Sequence, residues 1–319
     1  MKIIKDLRKF KEKGSVAALG TFDGLHLGHK KVILAAARFA KRKKLPCVVV
    51  TFDPHPKSVV NPLRKPLLLT TVDERAGLVK KLGADMLAVI RFDKKLENTS
   101  YRDFAKKVLA QVFKSKAVFI GQDYAFGRGR EGDPYKLRKL GGSLGFKVFP
   151  VADKELGGEP VKSTLIRTLL KEGEFARAMR LLGHPYMVQG TVVKGYGRGR
   201  ELGYPTANIK TGKEKLIPKS GVYAGEAEVF GERYLCAVNI GTRPTFNGKG
   251  VAVEAYLIGF RKDITGENIS LFLTKRLRDE KKFKTVKELI EVIKRDVARA
   301  SLRGPRARSR GTKQSHSTK

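Results

Sequence analysis

The sequence predicts two domains of different class, an α/β domain with a parallel sheet and then a small antiparallel β-barrel. Three observations predict this. The chain has 319 residues, more than one compact core of ordinary size holds. Up to about residue 182, apolar strand-like runs alternate with amphipathic helical ones. Beyond the break Gly183-His184-Pro185 the helical periodicity gives way to short apolar strands punctuated by Gly and Pro. The expected division is residues 1–183, residues 184–300, and a tail over 301–319.

In the first part, Val16 to Leu19 reads as a strand, Gly20 to Leu27 as a loop, and Gly28 to Lys43 as a helix with Val32, Ile33, Ala36 and Phe39 on one side. Cys47 to Phe52 reads as a strand, Asp73 to Leu82 as a helix, and Met86 to Phe92 as a strand. Ser100 to Phe113 is a helix with Ser100 as its cap, Ala117 to Ile120 a strand, Pro134 to Leu144 a helix, and Phe146 to Val151 a strand. This rhythm calls for a parallel sheet with helices on both faces, and ligands in such sheets bind outside the carboxyl ends of the strands. Two helices follow, Ser163 to Lys171 and Glu174 to Leu182.

In the second part, Met187 to Val193, Val222 to Phe230, Tyr234 to Ile240, Val251 to Phe260 and Ile269 to Leu273 read as strands, enough for a small barrel. Val286 to Ala300 reads as a closing helix. Ser301 to Lys319 holds six Lys or Arg, no acid and little apolar material, the composition of a disordered segment.

Composition narrows the class. Apolar residues make up 41% and charged residues 31%. No apolar run reaches the roughly 18 residues that a membrane-crossing helix needs. The basic N-terminus, Met1 to Gly14, lacks the apolar region of a signal peptide. Cys47 and Cys236 stand far apart, without the spacing of a disulfide framework or a zinc site, so a reducing cytoplasm is the expected compartment. The net charge is +36, and the tail supplies only six of the 67 basic residues. Such a field concentrates phosphate-bearing substrates. It also attracts nucleic acid nonspecifically, through the basic surface and the tail.

The first candidate site is the loop Gly20-Thr21-Phe22-Asp23-Gly24-Leu25-His26-Leu27-Gly28-His29. Gly20, Gly24 and Gly28 allow tight turns and close approach to a ligand. His26 and His29 stand where the helix presents N–H groups and the positive end of its dipole, a setting suited to phosphate.

This histidine motif resembles the signature of the nucleotidyltransferase superfamily, whose domain is Rossmann-like. Three further strings make the resemblance one to bacterial FAD synthetases: Thr51-Phe52-Asp53-Pro54-His55-Pro56, Gly121-Gln122-Asp123-Tyr124-Ala125-Phe126-Gly127 and Ser163-Thr164-Leu165-Ile166-Arg167. The resemblance implies adenylylation of FMN by ATP to give FAD and pyrophosphate. It implies that His26 and His29 bind the reacting phosphates, with Gly20, Phe22, Asp23, Gly24 and Gly28 around them. Ser163, Thr164 and Arg167 would grip the triphosphate, and Asp123 would lie near flavin and nucleotide. Lys162 stands where that family usually has serine.

The second candidate site runs from Gly195, Gly197 and Gly199 through Arg200 to Pro205-Thr206-Ala207-Asn208. The glycines free backbone N–H groups for phosphate. Thr206 and Asn208, two apart on a strand, face one way and offer oxygens that suit Mg²⁺ beside phosphates. With Gly221-Val222-Tyr223, Asn239-Ile240-Gly241-Thr242-Arg243-Pro244-Thr245, Val253-Glu254 and Leu277-Arg278-Asp279-Glu280 plus Phe283, this block resembles the riboflavin kinase module. The resemblance implies phosphorylation of riboflavin by Mg-ATP. Glu254 would be the general base that accepts the ribityl 5′-hydroxyl proton, and Arg278 would face flavin or phosphate. Glu254 sits in the otherwise apolar run Val251 to Phe260, where an acid is costly unless paired or used; its lesser reading is an outward-facing strand carboxylate, while Arg278 is equally half of a surface ion pair.

Overall fold

In the computed structural model, residues 1–195, 199, 203–245, 248–281 and 285–301 are described, those at 242–249 without their side chains. Gly197, Arg200, Phe283 and the tail from 302 onward lie outside the described residues. The chain divides into two compact units, Met1–Val188 with Thr211–Lys219, and Gln189–Lys210 with the chain from Ser220 on.

The first unit is built on a six-stranded sheet: β1 (Lys2–Ile4), β2 (Ser15–Leu19), β3 (Cys47–Asp53), β4 (Met86–Arg91), β5 (Ser115–Gly121) and β6 (Lys147–Val151), in the spatial order β1-β4-β3-β2-β5-β6. Every pairing is parallel. β2 is buried at all five positions, which is why it reads as an unbroken apolar run rather than an alternating one. Strand order reverses between β2 and β5, so the crevice beyond their carboxyl ends is where such a sheet accepts a ligand.

The helices carry the signals that the sequence announces. α1 (Leu27–Lys43) buries Val32, Ile33, Ala36 and Ala40, while Phe39 packs against the rings of Phe119 and Phe149. α2 (Pro56–Val60) is a single short turn, and α3 (Val72–Lys81) opens with a Thr71–Glu74 capping box. α4 (Lys94–Glu97) follows. α5 (Tyr101–Asp103) is capped by Ser100 as expected, then continues over Phe104–Val112 as a π-helix that the periodicity did not foretell. α6 (Pro134–Ser143), α7 (Ser163–Glu172) and α8 (Phe175–Leu182) complete the set, with Gly183 ending α8 at a φ of 68°. Between β6 and α7 lies a two-stranded hairpin, β7 (Glu155–Leu156) with β8 (Glu159–Pro160).

The second unit, with Tyr186–Val188 and Thr211 of the first, forms a closed barrel in the order β10-β13-β12-β11-β14-β9. Its strands are β9 (Tyr186–Val193), β10 (Ala207–Thr211), β11 (Gly221–Val229), β12 (Glu232–Thr245), β13 (Gly248–Leu257) and β14 (Asn268–Arg278). Cys236, Val238, Ile240, Val253, Ala255, Leu257 and Ile209 fill its interior. A last helix, α9 (Val286–Ser301), packs over β11 and β12.

Candidate active sites

The loop after β2 is organised by Asp23, whose side chain is 1% exposed. Its carboxylate accepts the N–H groups of Leu69 (3.1 Å) and Thr70 (2.8 Å) and the Thr70 hydroxyl (3.1 Å), and it pairs with Arg167. Burial alone would raise its pKa, but Arg167, Arg75 and these bonds outweigh burial and hold the carboxyl below its ordinary range. Gly24, at a φ of +87°, lets the chain pass Leu69, whose side chain lies 2.7 Å from where a Cβ would stand. The Gly24 carbonyl accepts from His184 Nε2 at 2.9 Å.

His26 caps α1, its Nδ1 accepting the His29 N–H at 3.3 Å. Two consequences follow. That N–H is spent on the cap and is not open to a phosphate. With Nδ1 as acceptor, His26 carries its hydrogen on Nε2, which becomes a donor. The His26 and His29 rings stack at 3.6 Å and 18°, and Phe22, at a φ of 49°, meets His29 edge-on at 5.4 Å. Burial pushes His26 down to about 4 and His29 well below its ordinary value, each helped by neighbouring cations, so both are neutral at pH 7. The His29 Nδ1 is buried without a hydrogen-bond partner. His55 repeats the arrangement: its Nδ1 accepts the Lys57 N–H at 3.1 Å to cap α2, and burial lowers it to about 4.

These groups line a cavity of about 640 Å³ beyond the ends of β2 and β5. Gly20, Phe22, His26, Gly28, His29, Asp123, Ser163, Thr164 and Arg167 all border it. Asp23 does not line it. Ser163 donates to the Asp23 carbonyl at 2.9 Å, and Arg167 also donates to the Leu67 carbonyl at 2.8 Å. Thr164 is exposed. Asp123 and Asp153 both accept from Lys162, at 2.5 and 2.6 Å. Arg75, which the sequence did not single out, is buried beneath the loop and donates to Thr51 Oγ1 at 2.8 Å.

On the barrel, register assembles the second set. Asn208 stands directly opposite Glu254, and Glu254 directly opposite Asn239. Their neighbours Ile209, Val253, Ala255, Val238 and Ile240 point into the core, so this row shares the outer face, half-buried. Glu254 is therefore outward-facing, yet flanked by an amide on each side. Thr206 precedes β10 by one residue and is half-buried, and Pro205 is exposed. A Cβ at Gly195 would collide with the Asn208 amide, so the Gly195 backbone lies against that side chain. Gly199 accepts the Tyr204 N–H at 2.8 Å, closing the loop onto the same segment. Arg278 Nη2 and Nε bond Asp296 of α9 at 2.8 and 2.9 Å. Among the described residues no cluster of three or more His, Cys, Asp or Glu forms a metal cage.

Two family models match, FAD synthetase over residues 8–165 and riboflavin kinase over residues 182–302. A bifunctional riboflavin kinase/FMN adenylyltransferase of Listeria monocytogenes is 38% identical over 88% of this chain and 90% of its own. The chain belongs to this bifunctional family. Namesakes from Escherichia coli (34% identical, 93% of this chain and 96% of theirs) and Bacillus subtilis (36%, 91% and 92%) agree. A crystal structure described as a macrolide-efflux protein from Streptococcus pneumoniae shares the fold, with a TM-score of 0.84 at 28% identity over 95% of this chain and 99% of that one. No helix among the described residues is long and apolar enough to cross a membrane.

Within the family frame, the histidine cavity lies in the FAD synthetase half and the Glu254 row in the riboflavin kinase half. Thr70, Arg75, Asp153, His184 and Asn239, which meet these groups from other segments, were not singled out as site residues by the sequence. Asn239 alone had a signal, since it lies within a quoted motif opposite an acid.

Proposed function

We propose that this chain phosphorylates riboflavin to FMN at the barrel and adenylylates FMN to FAD at the cavity of the first unit, with ATP as co-substrate in both steps. The observation that most supports this reading is that each motif set falls in its own compact unit, beside side chains suited to its chemistry.

At the barrel, Glu254 accepts the proton of the ribityl 5′-hydroxyl as that oxygen attacks the γ-phosphorus of ATP. Asn208 and Asn239 stand opposite it on the two neighbouring strands. Thr206 and Asn208 would hold Mg²⁺ through their hard oxygens. When bound there, Mg²⁺ neutralises charge on the transferring phosphoryl group. Gly195 and Gly199, next to Pro205 in the motif, would meet the nucleotide phosphates, as would Gly197 and Arg200, which lie outside the described residues. Arg278, fixed by Asp296, stands toward the flavin.

In the first unit, an FMN phosphate oxygen attacks the α-phosphorus of ATP, and the α–β bond breaks to release pyrophosphate. The FMN phosphate is already an anion at pH 7, so no base is required. The residues supply positioning and charge stabilisation. His26 and His29 donate as neutral imidazoles from a site where imidazolium is disfavoured. Gly20, Phe22, Gly24 and Gly28 shape the loop. Asp23 works through Arg167, which with Ser163 and Thr164 meets the triphosphate, and Asp123 lies near the flavin.

The free, buried thiols Cys47 and Cys236 are consistent with work in a reducing cytoplasm. The excess of +36 supports nonspecific, salt-sensitive contact with nucleic acid, which a gel shift that survives raised salt would refute. A time course with riboflavin and Mg-ATP, resolved by chromatography, tests the proposal: FMN rises first and FAD follows. FMN as the sole product at saturating ATP excludes the second step.

A further inference from the structure

Lys162 occupies an unusual place. It is the residue before α7, and its side chain makes no capping hydrogen bond. A cation at the positive end of a helix is disfavoured unless negative charge gathers beside it. Two carboxylates do so: Asp123, in the loop after β5, and Asp153, in the loop after β6. One ammonium thus ties three segments together at the carboxyl edge of the sheet, on the rim of the cavity that holds His26 and His29.

Two cations of that cavity exert their field on both imidazoles, Arg167 and Lys162. They are held very differently. Arg167 is bound to Asp23, a carboxylate 1% exposed and further fixed by two backbone N–H groups. Its charge is matched by a partner that cannot leave. Lys162 is 38% exposed, and its partners Asp123 and Asp153 are 59% and 45% exposed. Pairs so open to water are individually worth little, so an ammonium can exchange such a carboxylate for another anion at small cost. Burial alone would lower the Lys162 ammonium, but the bonds to Asp123 and Asp153 outweigh it, so it stays charged.

We infer that Lys162 is an exchangeable phosphate-binding cation of the adenylyltransferase site, which Asp123 and Asp153 hold at the rim until a substrate or product phosphate oxyanion displaces one of them. This rests on the cavity being the adenylylation site. It goes beyond that reading by giving the lysine and Asp153 opposing parts: Lys162 binds the anion and Asp153 competes with it.

Opposing parts make opposite signs, which a purely structural triad does not. The experiment measures inorganic pyrophosphate binding calorimetrically with the full chain, for wild type, Lys162→Ser, Asp153→Asn and the double variant. Lys162→Ser is expected to bind about tenfold more weakly, the size of one charge-assisted hydrogen bond. Asp153→Asn is expected to bind about two- to fivefold more tightly, since a competing anion is gone. The double variant should match Lys162→Ser, because Asp153 acts only through the lysine. Melting temperatures and riboflavin phosphorylation should stay at wild-type values in all three. KM for ATP at saturating FMN, and for FMN at saturating ATP, then identify whose phosphate Lys162 meets. Binding by Lys162→Ser within twofold of wild type overturns the inference, and so does weakening by Asp153→Asn. Wild-type protein that neither binds pyrophosphate nor makes FAD would instead remove the adenylylation reading beneath it.

Discussion

Lys215 and Glu74 form an ion pair, 2.7 Å between Nζ and Oε2, in which neither side chain has any exposed surface. Lys215 also donates to the Leu69 carbonyl at 2.6 Å and sits 4.3 Å from the centre of the Tyr186 ring. Glu74 also accepts the Thr71 N–H at 2.9 Å. Leu69 and Thr70, on the same strip, hold Asp23. Residues 211–219, within the riboflavin kinase match, are thus part of the unit that carries the adenylylation cavity.

Removing one partner of such a pair leaves the other as an uncompensated buried charge, at a cost of about 3–5 kcal/mol. Lys215→Met is therefore expected to lower unfolding stability by about that much in urea titrations and to cut FAD formation. Lys215→Met with Glu74→Met should recover most of the stability, since apolar replacement of both is near neutral. A single variant within about 0.5 kcal/mol of wild type would mean that the pair contributes no more than a surface contact.

The histidine pair predicts a selective loss. His29→Ala removes the ring stacked on His26, and with it a buried Nδ1 that has no hydrogen-bond partner among the described residues. Losing one such charge-stabilising donor costs roughly 10²- to 10³-fold in rate. FMN adenylylation should fall by that range while riboflavin phosphorylation is unchanged. Wild-type FAD formation from FMN would remove His29 from the site.

The same imidazoles set an acid limit. Above about pH 6.5 they are neutral in both folded and unfolded chains and add no pH dependence. Below it the unfolded imidazoles take up protons, while His26 and His55 resist until about 4 and burial holds His29 well below its ordinary value. The unfolded state then binds more protons, so stability falls as pH drops from about 6.5 toward 4, by up to about 1.4 kcal/mol per pH unit for each histidine. Urea titrations at pH 7.5 and 5 measure the slope. His55→Asn, which keeps a capping side chain, should reduce it; equal stability at the two pH values would contradict the burial of these rings.

Much of this was legible in the sequence, for identifiable reasons. β2 and β3 read correctly because buried parallel strands are continuous apolar runs, and α1 because its buried face repeats at helical spacing. β1 went unread because three residues, two of them exposed, carry no period. The residues of the first site were found as local strings. Their mutual roles were not: Asp23 looks like a phosphate ligand in its loop, and only the fold brings Arg167, 144 positions away, onto its carboxylate. Lys215 gave no signal at all, since a lysine after a strand reads as solvated until its buried acid is seen. Glu254 was picked out as an acid in an apolar run; register then placed it on the outer face, between Asn208 and Asn239.

Two separate catalytic sites on one chain can be disabled one at a time. Glu254→Gln keeps the shape of the side chain and removes the base, which typically contributes about 10²- to 10⁴-fold. Given riboflavin and Mg-ATP, this variant should stall at riboflavin, yet make FAD from FMN at the wild-type rate. His29→Ala should do the reverse and stop at FMN. The decisive measurement is FAD formation from riboflavin by an equimolar mixture of the two variants. Two independent sites predict that the mixture makes FAD although neither variant does so alone. A mixture that makes none, with both proteins folded, would contradict the assignment.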